Sequence, residues 1–329
     1  MTMLTLADWA RRIDPDGKVP SIVEILSETN EILDDMIFVE GNLPTGHRTT
    51  VRSGLPSVAW RLLNYGVQPS KSTTVQVDDS IGMLEAYSEI DKDLADLNGN
   101  TAAFRLTEDT AFLEAMSEEM AATVFYGDTT TDPEKFLGLD ARFNDATAPS
   151  GKNIVNARGA AYTAGTPENT SIWLVAWSPT TVHGIFPKGS KAGLIHQDLG
   201  EVTLTDASGG RFQGYRARYQ WKLGLTVRDW RYVVRVANIK TSALTKSGSA
   251  FDLVDLMLDA LGRIKALKGR PAFYVSRTVK SFLRRQIVNK DNVMLSFDSV
   301  GGKEVLTFAG IPVRLCEGIS DTETGVTFT

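Results

Sequence analysis

The stretch from Leu43 to Ile90 constrains this chain most, because it reads as extended structure with little of the apolar material that a core needs. Thr, Val and alternating polar residues are punctuated by Gly41, Pro44, Gly46, Gly54, Pro56, Gly66 and Pro69, the pattern of strands bounded by turn residues. Two extended arms joined near Gln68 to Lys71 are expected. A lone two-stranded hairpin is marginal in water, and this one reads as having few large apolar residues on either side of its turn. It has to rest on something else, a role that a neighbouring subunit could fill.

The rest of the chain is ordinary globular material. With 329 residues, 42% hydrophobic and 23% charged, it is long enough for one large core or two modest ones. A net charge of -5 gives no sign of a dedicated nucleic-acid binder, which needs a concentrated basic surface, and leaves room for local basic patches. The single cysteine, Cys316, excludes an intrachain disulfide framework and a four-thiolate zinc site; it reads as a small buried side chain. No run approaches the roughly 18 to 20 apolar residues that span a bilayer. Asp8, Arg11, Arg12 and Asp14 stand where a signal peptide would be apolar. The chain is expected to stay in the cytoplasm where it is made, without a membrane partner.

Local patterns give an α+β chain without an internal repeat. The first forty residues combine a helical start around Trp9 with an acidic amphipathic segment from Ser21 to Glu40, separated by Asp14-Pro15-Asp16-Gly17, and read as an arm. Thr107 followed by Glu108 and Asp109 predicts a helix N-terminus. Leu106, Leu113, Met116, Met120 and Val124 then recur at helical spacing, with Glu114, Glu118 and Glu119 on the wet face. About 20 residues make a rod of roughly 30 Å, and Gly127 is expected in the left-handed C-terminal position. Residues 138 to 171 suggest loops, Ser171 to Trp177 a strand, and residues 202 to 240 long antiparallel strands. A helix over Ala250 to Leu267, a strand from Pro271 to Ser276, a helix from Arg277 to about Asn289 and a closing strand from Val305 to Leu315 complete the order.

Motifs for chemistry are missing. His47, His183 and His196 are the only histidines, none pairs at helical spacing, and there is no His-Glu-x-x-His, Cys-x-x-Cys or Gly-x-Ser-x-Gly. His47 and His183 sit beside glycines and read as solvent or turn histidines. Gly151-Lys152-Asn153 lacks the upstream glycine and the hydroxyl residue of a phosphate loop. Asp128, Asp132 and Glu134 around Pro133 match no calcium loop and favour a turn with side-chain hydrogen bonds. No catalytic, cofactor-binding or metal residue is assigned.

Charge is unevenly spread. Residues 76 to 120 hold twelve acidic side chains against Lys92 and Arg105, whereas residues 205 to 240 hold eight basic ones against Asp206 and Asp229. The acidic helix and the basic strands are expected to meet, either within one subunit or between subunits.

Phe125-Tyr126-Gly127-Asp128, followed by Pro133-Glu134-Lys135-Phe136, Gly138-Leu139 and Arg142, resembles the segment after the spine helix in major capsid proteins of tailed bacteriophages with the Hong Kong 97-like fold. Ser171 to Val175 leading to His183-Gly184-Ile185-Phe186-Pro187-Lys188-Gly189, Pro271 to Ser276 before a helix, and Phe308-Ala309-Gly310-Ile311-Pro312-Val313 are similar to further parts of that family. The resemblance spans most of the chain and implies an N-terminal arm (1–40), an extended loop (41–90), a peripheral domain (91–135 and 200–245) with spine helix and long strands, and an axial domain (136–199 and 246–329). The long strands precede the axial-looking block here, which implies a permuted element order.

The same resemblance implies a structural protein that assembles with itself into pentamers and hexamers of an icosahedral head. It implies a separate scaffolding protein, a portal, a decoration protein and packaged double-stranded DNA as partners, and the virion as final location. Lys71 lies near the expected loop tip, but no crosslink is predicted for it. The alternatives are another phage assembly component, such as a tail or decoration protein, and a soluble hydrolase using Asp128, Asp132 or His183.

Overall fold

The computed structural model describes residues 30–97, 101–158, 165, 167–206, 208–244, 252–288, 295–300 and 303–328. The expected helical start around Trp9, and most of the expected arm, lie outside the described residues. After a short helix α1 (Ile32–Asp35) come β1 (Phe38–Glu40), β2 (Gly46–Gly54), β3 (Thr73–Ser80) and β4 (Gly82–Asp91). Helices α2 (Lys92–Asp96), α3 (Thr101–Tyr126) and α4 (Leu139–Arg142) follow, then β5 (Ile154–Asn156), β6 (Asn169–Trp177), β7 (Val182–Phe186), β8 (Leu194–Thr205), β9 (Arg211–Val227) and β10 (Val233–Lys240). The chain ends with α5 (Leu253–Arg263), β11 (Arg270–Val275), α6 (Arg277–Val288), β12 (Leu295–Val300), β13 (Lys303–Phe308) and β14 (Ile311–Leu315).

The core is organised around β6. Every residue of Asn169–Trp177 is buried, as expected of a strand covered on both faces. It pairs antiparallel with β10 on one side and β11 on the other. Helix α5 and helix α6 add amphipathic faces: Leu253, Met257 and Ala260 of α5, and Val279, Phe282 and Leu283 of α6, are all buried in the same cluster. Asp252 caps α5 by accepting from Val254 N and Asp255 N, which fixes its start at Leu253, three residues after the expected Ala250.

Strand β9 carries the same sheet out of this core. Its C-terminal part pairs with β7 in the central sheet, and its N-terminal part lies between β4 and β8 as the middle strand of a long ribbon. At about 3.4 Å per residue its 17 residues reach roughly 55 Å. The long antiparallel strands expected over 202–240 are therefore β8 and β9, whereas β10 belongs to the core beside β6.

Four local expectations are corrected. Helix α3 begins at Thr101 rather than Thr107, because Phe104 packs against Ile90 and Ala95 and holds the earlier turns in place. Thr107 is an interior residue whose hydroxyl donates to the Ala103 carbonyl, at 2.9 Å. Met116, Met120 and Val124 are buried as expected, but Leu106 is 66% and Leu113 40% exposed. Gly127 is not left-handed; a Cβ there would lie 2.2 Å from the Phe136 carbonyl oxygen and 2.7 Å from that of Thr123. Close backbone approach is what requires glycine at this position. Finally, the closing strand is interrupted: β13 and β14 form a hairpin across Ala309-Gly310, both with positive φ (49° and 78°), a turn that an alanine conceals in the sequence.

Candidate assembly surfaces

The hairpin predicted between Leu43 and Ile90 is present as β2 and β3, paired from Gly46↔Ser80 to Gly54↔Thr73. Its root is fastened by polar contacts. Asn42 clamps Arg48 through both backbone groups, accepting from its N–H at 2.7 Å and donating to its carbonyl at 2.8 Å. Arg48 in turn pairs with Asp78 across the strands through two bonds of 2.6 and 2.7 Å. Deeper in, Arg142 of α4 donates to Asp79 at 2.8 Å and to the Leu225 carbonyl at 3.0 Å, which ties β3 to the end of β9 through a buried ion pair.

His47 and His183 also belong to this root. Contrary to the reading as solvent or turn residues, both are buried, and their rings meet edge to face at 5.9 Å. Arg228 donates to His47 Nε2 at 2.9 Å, while neither ring nitrogen of His183 has a partner among the described residues. Burial, then Arg228, then His47 hold the His183 pKa down to about 4. Burial and Arg228 likewise lower that of His47, against Asp79, which raises it. Two neutral imidazoles thus sit under the hairpin, placed there because β2 packs on β7.

Beyond Gly54 the arms are joined by residues 55–72 rather than by a tight turn at Gln68–Lys71. This connection carries Leu55, Val58, Trp60, Leu62, Leu63, Tyr65 and Val67, all exposed, with Trp60 fully so. The reading of the hairpin as poor in large apolar residues is wrong for this segment. Without helical or strand periodicity the apolar residues gave no pattern to detect. So much apolar surface on a segment projecting from the body marks an interaction site.

The ribbon and α3 form the other broad surface. Met116 packs on Ala217 and Tyr219, and Arg105 pairs with Asp198 of β8 at 2.7 Å while lying over the Tyr215 ring. Two of the basic strand residues are matched by β4, with Arg216 bound to Glu89 at 2.6 Å and Arg218 to Glu85 at 2.8 Å, whereas Arg231 pairs with Asp229, Arg235 with Asp140 and Glu323, and Lys240 with Glu168. Hydrogen bonds from Arg218, Tyr87 and Gln220 bring the Glu85 pKa down to about 2. On the helix, Glu119 pairs with Lys135 of the segment that follows it, at 2.9 Å. Part of the charge complementarity expected between helix and strands thus runs from strand to strand inside one subunit, between β9 and β4. Between β4 and α3, Met83, Leu84, Met120, Thr123 and Phe136 help to line a small apolar cavity of about 100 Å³.

The residues weighed for chemistry are not brought together. Asp128 accepts from the backbone and hydroxyl of Thr130 at 2.9 and 2.7 Å, the turn expected at this place, and those bonds lower its pKa. Cys316 is buried, its thiol donating to Asn30 at 3.2 Å. Gly151-Lys152-Asn153 ends a 3₁₀ turn in which Asn153 donates to the Val233 carbonyl at 2.8 Å. His196 stacks on Tyr219 at 4.9 Å, and Lys71 is exposed on the connecting segment. Among the described residues no group of three or more His, Cys, Asp or Glu could hold a metal ion, and no helix is long and apolar enough to cross a membrane.

Comparison with known proteins fits this picture. The family model for major capsid protein GP7 matches residues 14–327. A chain of the cryo-EM structure of bacteriophage Epsilon15 is 34% identical and superposes with a TM-score of 0.78, covering 99% of this chain and 98% of that one. The capsid of bacteriophage JBD30 superposes with a TM-score of 0.50 at 11% identity, over 91% of this chain and 95% of that one, a likeness of fold. No curated protein matches.

Proposed function

The chain belongs to the major capsid protein GP7 family and is a phage head subunit with the Hong Kong 97-like fold, and on that premise we propose how its copies join and what they enclose. The family is structural rather than enzymatic, and the protein forms part of the virion. Copies assemble into pentamers and hexamers that close an icosahedral head around a double-stranded DNA genome, beginning in the host cytoplasm. A separate scaffolding protein, a portal and a decoration protein complete the particle. The β8–β9–β4 ribbon with α3 serves as the peripheral part, the sheet around β6 with α5 and α6 as the axial part, and residues 1–40 as an arm.

The joint between neighbours is the β2–β3 hairpin with residues 55–72. The observation that carries this is the run of exposed apolar side chains around Trp60, which an isolated subunit would leave in water at a cost of about 25 cal/mol per Å² of apolar surface. Covered by an adjacent copy, the same surface drives association. The polar root at Asn42, Arg48, Asp78, Asp79 and Arg142 keeps the hairpin aimed outward.

Electron microscopy of the expressed full chain, with a scaffolding partner if needed, tests the reading. Closed shells are expected from the wild type. A variant in which a short Gly-Ser linker replaces residues 55–72 should keep its thermal unfolding transition and form no shells. A wild type that stays monomeric under all conditions would overturn the shell, and linker variants that close normal shells would overturn the joint.

A further inference from the structure

Helix α6 carries a basic face that the core does not use. Val279, Phe282 and Leu283 are buried. Arg277, Lys280, Ser281, Arg284 and Arg285, together with Leu315, line an open groove of about 410 Å³. Their spacing puts them along one side of the helix, a face about 12 Å long from Arg277 to Arg285. Arg277 is neutralised by Glu317, and Lys280 faces Glu31 at 3.5 Å. Arg284 and Arg285 are exposed and have no ion pair among the described residues. The Lys280 pKa is lowered by burial and further by Arg284 and Arg314, against Glu31, so positive charge is in local surplus.

The groove's chemistry distinguishes between polyanions. Protein interfaces concentrate aromatic and apolar anchors at their centre, and here Leu315 is the only apolar lining residue. Nucleic-acid interfaces are polar and strongly positive. Guanidinium forks match phosphate oxygens two at a time, and the face spans about three phosphate steps of one strand at roughly 3.4 Å each. Nothing in the groove would read a base edge.

We infer that this face of α6 binds the phosphate backbone of double-stranded DNA without sequence preference, through Arg284 and Arg285. The inference deepens the shell-forming reading by placing the contact with the enclosed polymer. Its test is the salt dependence of binding of a short DNA duplex to capsomers of the full chain, wild type against R284A/R285A. Counterion release gives about 0.9 in the slope of log K against log salt per phosphate contact, so the double variant should bind more weakly with a slope shallower by about 1.8. The loss should be equal on unrelated duplexes, while Lys268→Ala on another exposed site should bind as the wild type does.

Unchanged affinity and slope in the double variant would overturn the inference. So would a variant that binds DNA normally but loses binding of poly-glutamate, which would make the groove a site for an acidic protein segment. Electron microscopy of the same variant separates the two readings. Normal shells with an unchanged DNA slope count against the groove alone, whereas a wild type that forms no shells counts against the shell.

Discussion

Arg235 and Glu323, 88 residues apart in sequence, form a buried ion pair in the core, Nη2 to Oε2 at 2.9 Å. The guanidinium lies over the Trp173 ring and also bonds Asp140 at 2.6 Å and the Phe143 carbonyl at 2.9 Å. Glu323 accepts from Ser171 at 2.5 Å and Tyr126 at 2.6 Å. Burial and the Glu323 carboxylate raise the Tyr126 pKa, which keeps its hydroxyl a donor. The C-terminal segment is thereby locked to α3, β6 and β10 at once.

Breaking this pair is expected to be costly. Glu323→Leu strands part of the Arg235 charge and leaves two hydroxyls without an acceptor, so it should lower stability by about 3 to 5 kcal/mol. Urea unfolding of the unassembled subunit measures this, and a loss below about 1 kcal/mol would mean that the network contributes no more than a surface pair.

Two substitutions on α3 should behave differently although both residues fit the helical spacing. Met120 is buried, and Met120→Asp places an unpaired carboxylate in the core, at a cost of several kcal/mol. Leu113 is 40% exposed, so Leu113→Asp should change stability by about 1 kcal/mol or less. Thermal melts of the two variants side by side decide it.

At the exit of α3, Gly127→Ala brings a methyl group into two carbonyl oxygens. Backbone has to move in response, and a loss of about 2 kcal/mol or more is expected. Since Gly127 does not have a positive φ, an unchanged melting temperature would show that the segment through Phe136 shifts freely.

Stability should also depend on pH through the hairpin root. His183 keeps a pKa near 4 in the folded state against 6.5 ordinarily. As pH falls through about 6.5 the unfolded chain takes up the proton first, so this contribution is present above that pH and is lost on acidification towards 4. His183 should account for about 3 kcal/mol of that fall. His183→Leu removes it, and the difference between variant and wild type in urea midpoint should shrink or reverse between pH 7 and about 4.5. A difference independent of pH would refute the buried neutral imidazole.

Features set by neighbours in the chain were legible from the start. The apolar run of β6, the amphipathic faces of α5 and α6 and the two arms of the hairpin follow from periodicity and turn residues, which act over a few positions. The uneven charge was legible too, because it is a property of composition. Its pairing was not: the register of β4 on β9 sets Arg216 against Glu89 and Arg218 against Glu85, so the helix meets the strands with Met116 and Arg105 instead. Packing also exposed Leu113, buried His47 and His183, and made Gly127 a point of close approach. Chain-local free energy determines which segments become strands or helices in this protein, whereas burial and ion pairing belong to residues that meet only after the chain has closed, as Arg235 and Glu323 do across 88 residues.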